Sequence, residues 1–415
     1  MQAAQARVEA ASAVVEQARS GLFPELEIQG GLNRTRVSQT DTLRGTPLAG
    51  RWYDQVRMSG VLSYDIDFWG KHRDALRAAL SEVRVADAEQ QAAKLLLTTS
   101  VARVYARLAT EYALHDVLSE TLKQRQALAQ LAQVRLDAGL DTEVTTALQH
   151  AGVASVAAQL TEVADSIDIS RRQLAALMGK GPDRGMSIRR PELLSGPGQA
   201  SANRLPDDAR IGLLARRPDL VAARWRVEAA SRNIDVARAE FLPDISLNAM
   251  AGFTTITPSD FLLSASRAFS FGPALTLPVF EGGRLRANLK GRYAAYDAAV
   301  ADYNQTLADA LKETADSVGS LNSVRTEIDQ QAIALELAEH AWRLAQSRWQ
   351  AGLVDQIVAL TAEASVLDQR QTSVRLQGRD VDLQISLVWS LGGGFTGDLP
   401  GKHPESQPAA PRGAQ

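Results

Sequence analysis

Arg7-Val8-Glu9-Ala10-Ala11-Ser12 recurs letter for letter as Arg226-Val227-Glu228-Ala229-Ala230-Ser231, an offset of 219 residues. Self-similarity at one long period marks a duplicated fold, and the match spreads outward from this stretch. Ala18-Arg19 maps onto Ala237-Arg238, and Leu22-Phe23-Pro24-Glu25-Leu26 onto Phe241-Leu242-Pro243-Asp244-Ile245. Further along the offset is 213: Gly70-Lys71 maps onto Gly283-Arg284, Gly179 onto Gly392, and Leu131-Ala132-Gln133-Val134-Arg135-Leu136-Asp137-Ala138-Gly139-Leu140 onto Leu344-Ala345-Gln346-Ser347-Arg348-Trp349-Gln350-Ala351-Gly352-Leu353. Repeat two is thus six residues shorter, 219 less 213, between Pro24 and Gly70. A hairpin loop tolerates such a change best, and Thr40-Asp41-Thr42-Leu43-Arg44-Gly45-Thr46-Pro47 has the composition of one.

Each repeat opens with a helix that must stop before a proline, Pro24 or Pro243. Alternating segments follow. Val56, Met58, Gly60, Leu62, Tyr64, Ile66 and Phe68 fall on one face and Gln55, Arg57, Ser59, Val61, Ser63, Asp65 and Asp67 on the other. Leu26, Ile28 and Leu32 alternate in the same way, as do Ile245, Leu247, Ala249, Ala251 and Phe253, and Phe269, Phe271, Leu275, Leu277 and Val279. Period two over such lengths fits a transmembrane barrel strand and equally an ordinary half-buried sheet. Aromatic placement favours the membrane: 12 of the 22 aromatics lie in 22–69 and 241–281, with Trp52, Tyr53, Tyr64, Phe68 and Trp69 near strand ends.

After the strands, residues 71–138 contain neither Gly nor Pro, which predicts a helix of about 100 Å at ~1.5 Å per residue. Leu97, Val101, Val104 and Leu108 give it heptad-like spacing for packing on neighbouring helices. Gly139 turns the chain into a second helix over 141–178, and repeat two copies this with helices near 284–350 and 355–391 about Gly352. The expected organisation is repeat one over 1–179 (β-hairpin 24–69, helical hairpin 71–178), a linker over 180–217 lying against the waist of the helical part, and repeat two over 218–394 (β-hairpin 243–281, helical hairpin 284–391). The Pro-rich residues 395–415 read as a disordered tail.

Composition narrows the function. Lys+Arg number 45 against 48 Asp+Glu, which gives no case for a nucleic-acid partner. There is no cysteine, and His72, His115, His150, His340 and His403 are too far apart for a local ligand pair. No phosphate loop, nucleophile elbow or metal-ligand cluster occurs, so neither an enzyme nor a cofactor is expected. No run of 18 apolar residues spans a bilayer as a helix, which leaves strands as the membrane route. Four strands cannot close a barrel, and open edges in lipid would cost several kcal/mol per unpaired group, so several copies must pool their strands. A soluble coiled-coil scaffold is the rival outside this class; it accounts for the helices and not for four amphipathic strands repeated in register.

Leu213-Leu214-Ala215-Arg216-Arg217-Pro218-Asp219-Leu220-Val221-Ala222-Ala223 opens repeat two as a helix start, with Pro218 in the first turn and Asp219 at the positive end of the dipole. It resembles the equivalent segment of the outer-membrane factors of tripartite efflux and type I secretion systems, the TolC-like and OprM-like proteins, in their lipoprotein branch. The resemblance, over residues 1 to about 394, implies an α+β membrane protein: a homotrimer in outer-membrane lipid with a twelve-stranded barrel, four transmembrane strands per protomer, and long antiparallel helical hairpins forming a periplasmic tunnel. It implies a periplasmic adaptor and an inner-membrane proton-driven pump as partners. Efflux of drugs and other small molecules is the expected activity, with type I protein secretion as the alternative.

By the same resemblance, the adaptor docks at the helical tips, Arg135, Gly139 and Leu140 in repeat one and Arg348, Gly352 and Leu353 in repeat two. Relatives often carry acidic aperture residues about six and nine positions after the turn glycine, where this chain has Val358 and Thr361. The remaining aperture candidates are Asp141 and Glu143 after Gly139, and Asp355 and Glu363 after Gly352. Met1 aligns with Leu220, so a counterpart of Arg217-Pro218-Asp219 is expected ahead of residue 1, together with an export signal and, by resemblance, a lipidated cysteine.

Overall fold

A computed structural model describes residues 1–40, 44–47, 49–191 and 216–394. Parts of the expected Thr40–Pro47 loop, most of the 180–217 linker and the expected tail lie outside the described residues. In chain order the elements are α1 (Gln2–Ser20), β1 (Glu25–Arg36), β2 (Trp52–Asp65), α2 (Lys71–Asp137), α3 (Glu143–Leu177), α4 (Pro182–Met186), α5 (Pro218–Ala239), β3 (Asp244–Thr255), β4 (Arg267–Thr276), α6 (Arg284–Gln350) and α7 (Gln356–Ser390). The duplication is written into the lengths: α2 and α6 both have 67 residues, α3 and α7 both have 35.

The described residues form two compact units, each drawn from both repeats: those within 1–90 with those within 219–306, and those within 91–218 with those within 307–394. The first unit holds one four-stranded antiparallel sheet in the order β1-β2-β3-β4. Its register carries the two sequence offsets. Glu25 pairs with Ser63; 219 and 213 residues further on, Asp244 pairs with Thr276. The six-residue difference therefore lies wholly in the β1–β2 connection. Apolar alternation runs on through Leu277 and Val279, yet β4 stops at Thr276 because β3 supplies its last partner at Asp244.

The second unit is helical. Val104 and Leu108 of α2 pack on Ile167 and Leu174 of α3, with Val101 and Val163 alongside, so the heptad spacing becomes a core. Burying each large side chain there contributes about 1.5–3 kcal/mol. The long helices touch at close quarters where side chains are small. A Cβ added at Gly378 of α7 would lie 2.5 Å from the Thr110 hydroxyl oxygen of α2. One short helix, α4, was not anticipated in the linker; Pro182 occupies its first turn after Gly181.

Candidate membrane face and helical tips

Strand register lines up the apolar positions on a single face. Leu26, Leu62, Ala249 and Phe271 form one row, and Ile28, Gly60, Ala251 and Phe269 the next. Much of this face is uncovered in the protomer: Ile28 is 76% and Phe271 88% exposed. Water does not permit so large a continuous apolar surface to stay bare, whereas lipid requires it. The opposite face is polar, with rows Glu25–Ser63–Asn248–Gly272 and Gln29–Ser59–Gly252–Ala268. From Val56 in β2 to Ile66 just past its end, the apolar run measures ~33 Å, or about 23 Å across a bilayer at a ~45° tilt, close to the band of a transmembrane barrel. Exposed aromatics bound it: Trp52 lies near the Arg34–Asp54 ion pair at one end, and Phe68 and Trp69 lie at the other, where the Trp69 Nε1–H donates to the Pro243 carbonyl at 2.7 Å. Among the described residues no helix is long and apolar enough to cross a membrane.

At the tip of the first helical hairpin, Gly139 takes φ +70° and α2 ends in a Schellman turn: the Leu140 N–H donates to the Arg135 carbonyl at 2.8 Å and the Gly139 N–H to the Leu136 carbonyl at 2.9 Å. The second tip repeats it, with Gly352 at φ +71°, Leu353 bonding to Arg348 at 2.9 Å and Gly352 to Trp349 at 2.8 Å. Leu140 and Leu353 project beside these turns, 68% and 70% exposed.

The two tips meet through one side chain. Arg135 Nη1 donates to Asp355 Oδ2 at 2.6 Å, and its Nε lies 3.4 Å from Asp141 Oδ2. Asp355 holds the N-cap position of α7, yet its carboxylate makes no cap bond because it is turned to Arg135. The matching position in repeat one, Thr142, does cap α3. Asp141 is held below the usual carboxylate range by hydrogen bonds from the Thr145 hydroxyl and the Thr142 N–H, with Arg135 adding to both. Arg348, the duplicate of Arg135, is exposed and has no ion pair among the described residues, since the duplicate of Asp141 is Val354.

The structure thus joins one candidate from each hairpin, Asp141 and Asp355, while Glu143 stays exposed beside them. The other two lie further along α7. Thr361 donates its hydroxyl to the Ile357 carbonyl at 2.7 Å. Glu363 borders a cavity of about 410 Å³ with Glu120, Gln124, Trp342, Leu360 and Arg370. Burial, reinforced by Glu120 and opposed by Arg370, pushes its carboxyl upward. Gln124, only 4% exposed, donates to the Leu360 carbonyl at 2.7 Å and so pins α2 to α7. Sequence reasoning missed Arg135 as a bridge, because its partner lies 220 residues away. No cluster of His, Cys, Asp or Glu among the described residues is arranged to hold a metal ion.

Residues 1–180 and 212–393 match the outer membrane efflux protein family. The multidrug resistance outer membrane protein MdtP of Escherichia coli K12 is 32% identical over 402 residues, 94% of this chain and 81% of that protein. The fusaric acid resistance protein FusA of Burkholderia cepacia is 41% identical over 288 residues, 68% of this chain and 53% of its own length, so the match spans about half of that relative. Among solved structures, the outer membrane protein VceC of Vibrio cholerae superposes with a TM-score of 0.83 at 36% identity, covering 95% of this chain and 92% of that one. The outer-membrane channel OprN gives 0.81 at 25% identity, covering 95% and 86%. Channels of this kind are trimers of a helical tunnel and a β-barrel spanning periplasm and outer membrane, and they work with an adaptor and an inner-membrane pump. A duplicated chain, a sheet with one lipid-type face and a match along both repeats make one assignment: this chain belongs to the outer membrane efflux protein family, as a channel subunit and not an enzyme.

Proposed function

We propose that this subunit forms the passive exit duct for small molecules handed over by a proton-driven inner-membrane pump through a periplasmic adaptor, with outer-membrane lipid around the apolar strand face. The relatives named for resistance to multiple drugs and to fusaric acid favour small-molecule cargo over secreted protein. The adaptor's contact surface in this reading is the pair of tips, Arg135, Gly139 and Leu140 with Arg348, Gly352 and Leu353, where Leu140 and Leu353 offer largely exposed apolar surface.

The observation that carries the reading is the bridge from Arg135 to Asp355 and Asp141, which ties repeat one to repeat two at the turns. It holds the tips together while the duct is shut, and Glu143, Thr361 and Glu363 flank the same end of the helices. A partly exposed ion pair is worth about 0.5–1 kcal/mol, roughly a two- to fivefold change in the closed-to-open ratio for each protomer. Single-channel recording in planar bilayers tests this. Arg135→Ala and Asp355→Asn each raise the mean conductance, and the double variant adds nothing beyond the larger single effect. Wild-type conductance in both single variants would remove the bridge from the gate. Expression with the cognate pump and adaptor in a host lacking its own exit ducts tests the cargo: drug tolerance is expected to rise, and secretion of a protein without any gain in tolerance would overturn the small-molecule assignment.

A further inference from the structure

The first helix of repeat one is only lightly covered in the protomer: Ala4, Val8, Ala11, Val15 and Ala18 form one half-buried face, and the rest of the helix is exposed. No residue of α1 is buried, whereas its duplicate α5 buries Leu220, Val221, Ala229, Ile234 and Ala237. The opening segment of α2 meets α5: Arg226 of α5 is hydrogen-bonded and ion-paired to Glu89 of α2. Applying the offsets of 219 and 213 that relate the repeats, the duplicates of Arg226 and Glu89 are Arg7 on α1 and Asp302 on α6. Both are exposed, and neither side chain has a partner among the described residues. Both members of the ion pair therefore have duplicates of the same charge, and the duplicates stand apart in the chain that carries them.

The surroundings repeat the pattern. Ala229 of α5 is 1% exposed, and its duplicate Ala10 is exposed. Ala86 and Ala88, close to Glu89, are 8% and 2% exposed; their duplicates Ala299 and Ala301, close to Asp302, are half-buried and exposed. Small side chains at these positions allow helix backbones a close approach. Two other contacts within the chain point the same way. β2 pairs with β3, while the outer edges of β1 and β4 have no strand partner among the described residues. α2 holds α7 through Gln124 and the Leu360 carbonyl, and the duplicates Leu337 of α6 and Ala147 of α3 are exposed. In each case the long helix or second strand of repeat one receives an element of repeat two, while the matching surface of repeat two is more open among the described residues.

We infer that α1 of one copy packs on α6 of the next, with Arg7 ion-paired to the partner's Asp302, as a copy of the Arg226–Glu89 contact inside each chain. The occupant is a second copy of this chain because only the first repeat carries the duplicate of the residues already seen on the equivalent surface. The contact is heterologous, head to tail, and closes after three copies in the family's trimer. It rests on the trimeric reading and adds the surface, the direction and the ion pair to it.

The chain has no cysteine, so single replacements give a clean test. Arg7→Cys and Asp302→Cys are introduced in separate, differently tagged chains, recovered from outer membranes and treated with a short bis-maleimide. A covalent dimer carrying both tags is expected when the two are co-expressed, and none when either is expressed alone. Linkage of Arg7→Cys to itself would overturn the head-to-tail contact. Absence of a mixed dimer from mixed trimers in which both thiols react with a monofunctional maleimide would equally overturn it, and would leave α1 covered by something else. Charge reversal is the second reading: R7E and D302R each lower the temperature at which the trimer dissociates in dodecyl sulfate, and R7E/D302R together restore it. Equal loss in the double variant would contradict the pairing. A protein that is monomeric throughout would instead defeat the trimeric reading, a separate failure visible before any cross-linking.

Discussion

Leu62 and Ser63 are neighbours in β2 whose side chains leave opposite faces of the sheet, so one substitution at each separates lipid face from lumen. Leu62 lies between Leu26 and Ala249, near the middle of the apolar run from Val56 to Ile66. Leu62→Arg forfeits about 1.5–3 kcal/mol of apolar transfer and adds about 2–4 kcal/mol for a cation near the bilayer midplane. Three copies bring the cost to about 10–20 kcal/mol, as large as the whole stability of an ordinary domain at about 5–15 kcal/mol. Ser63 lies between Glu25 and Asn248, so Ser63→Arg meets a carboxylate in a polar environment and changes stability by less than about 1 kcal/mol. The assay is the yield of dodecyl-sulfate-resistant trimer from outer membranes, followed by urea titration in lipid. Leu62→Arg is expected to abolish the trimer and Ser63→Arg to retain it. The opposite pattern, or equal yields, would refute the face assignment.

Gly252 has no room for a side chain, since an added Cβ falls 2.2 Å from the Met58 carbonyl oxygen and 2.6 Å from Ser59 Cα; Gly252→Ala is expected to cost about 3 kcal/mol in urea titration. Gly352→Ala meets no atom within 4 Å and loses only the left-handed conformation at φ +71°, so the same titration should show about 1 kcal/mol per protomer. The folded state raises the Glu363 carboxyl, so it binds a proton more readily than the unfolded chain does, and the charged form costs stability as pH rises through the folded value. Glu363→Gln should therefore raise the melting temperature at pH 7 and lose that advantage as pH falls into the ordinary carboxylate range; a pH-independent difference between the two proteins would contradict this.

Much of this fold is legible because its signals are local or repeated. Gly139 and Gly352 mark helix ends since only glycine adopts their φ at little cost, and the Gly- and Pro-free run after Gly70 leaves nothing to interrupt α2. The two offsets even anticipate strand register, because Glu25–Ser63 and Asp244–Thr276 are the same pair carried through the duplication. What stays hidden is long-range. Arg135 reads as an ordinary basic residue in a last helical turn, and nothing near it announces Asp355. One trace was available: the N-cap changes from Thr142 to Asp355 between repeats, placing a carboxylate where a hydroxyl had sufficed. Glu363 similarly looks like a solvated helix residue until α2 brings Glu120 and Gln124 beside it. Helix α4 escaped notice because five residues carry no periodicity, although Gly181-Pro182-Asp183 has the form of a helix start.

The central claim is that copies of this chain pool their strands to close one barrel. The most direct measurement is the mass of the protein extracted from outer membranes, by light scattering corrected for bound detergent. A particle of three times 44.7 kDa is the result the account predicts. A homogeneous particle of a single 44.7 kDa chain would leave the edges of β1 and β4 without partners in lipid and would contradict it.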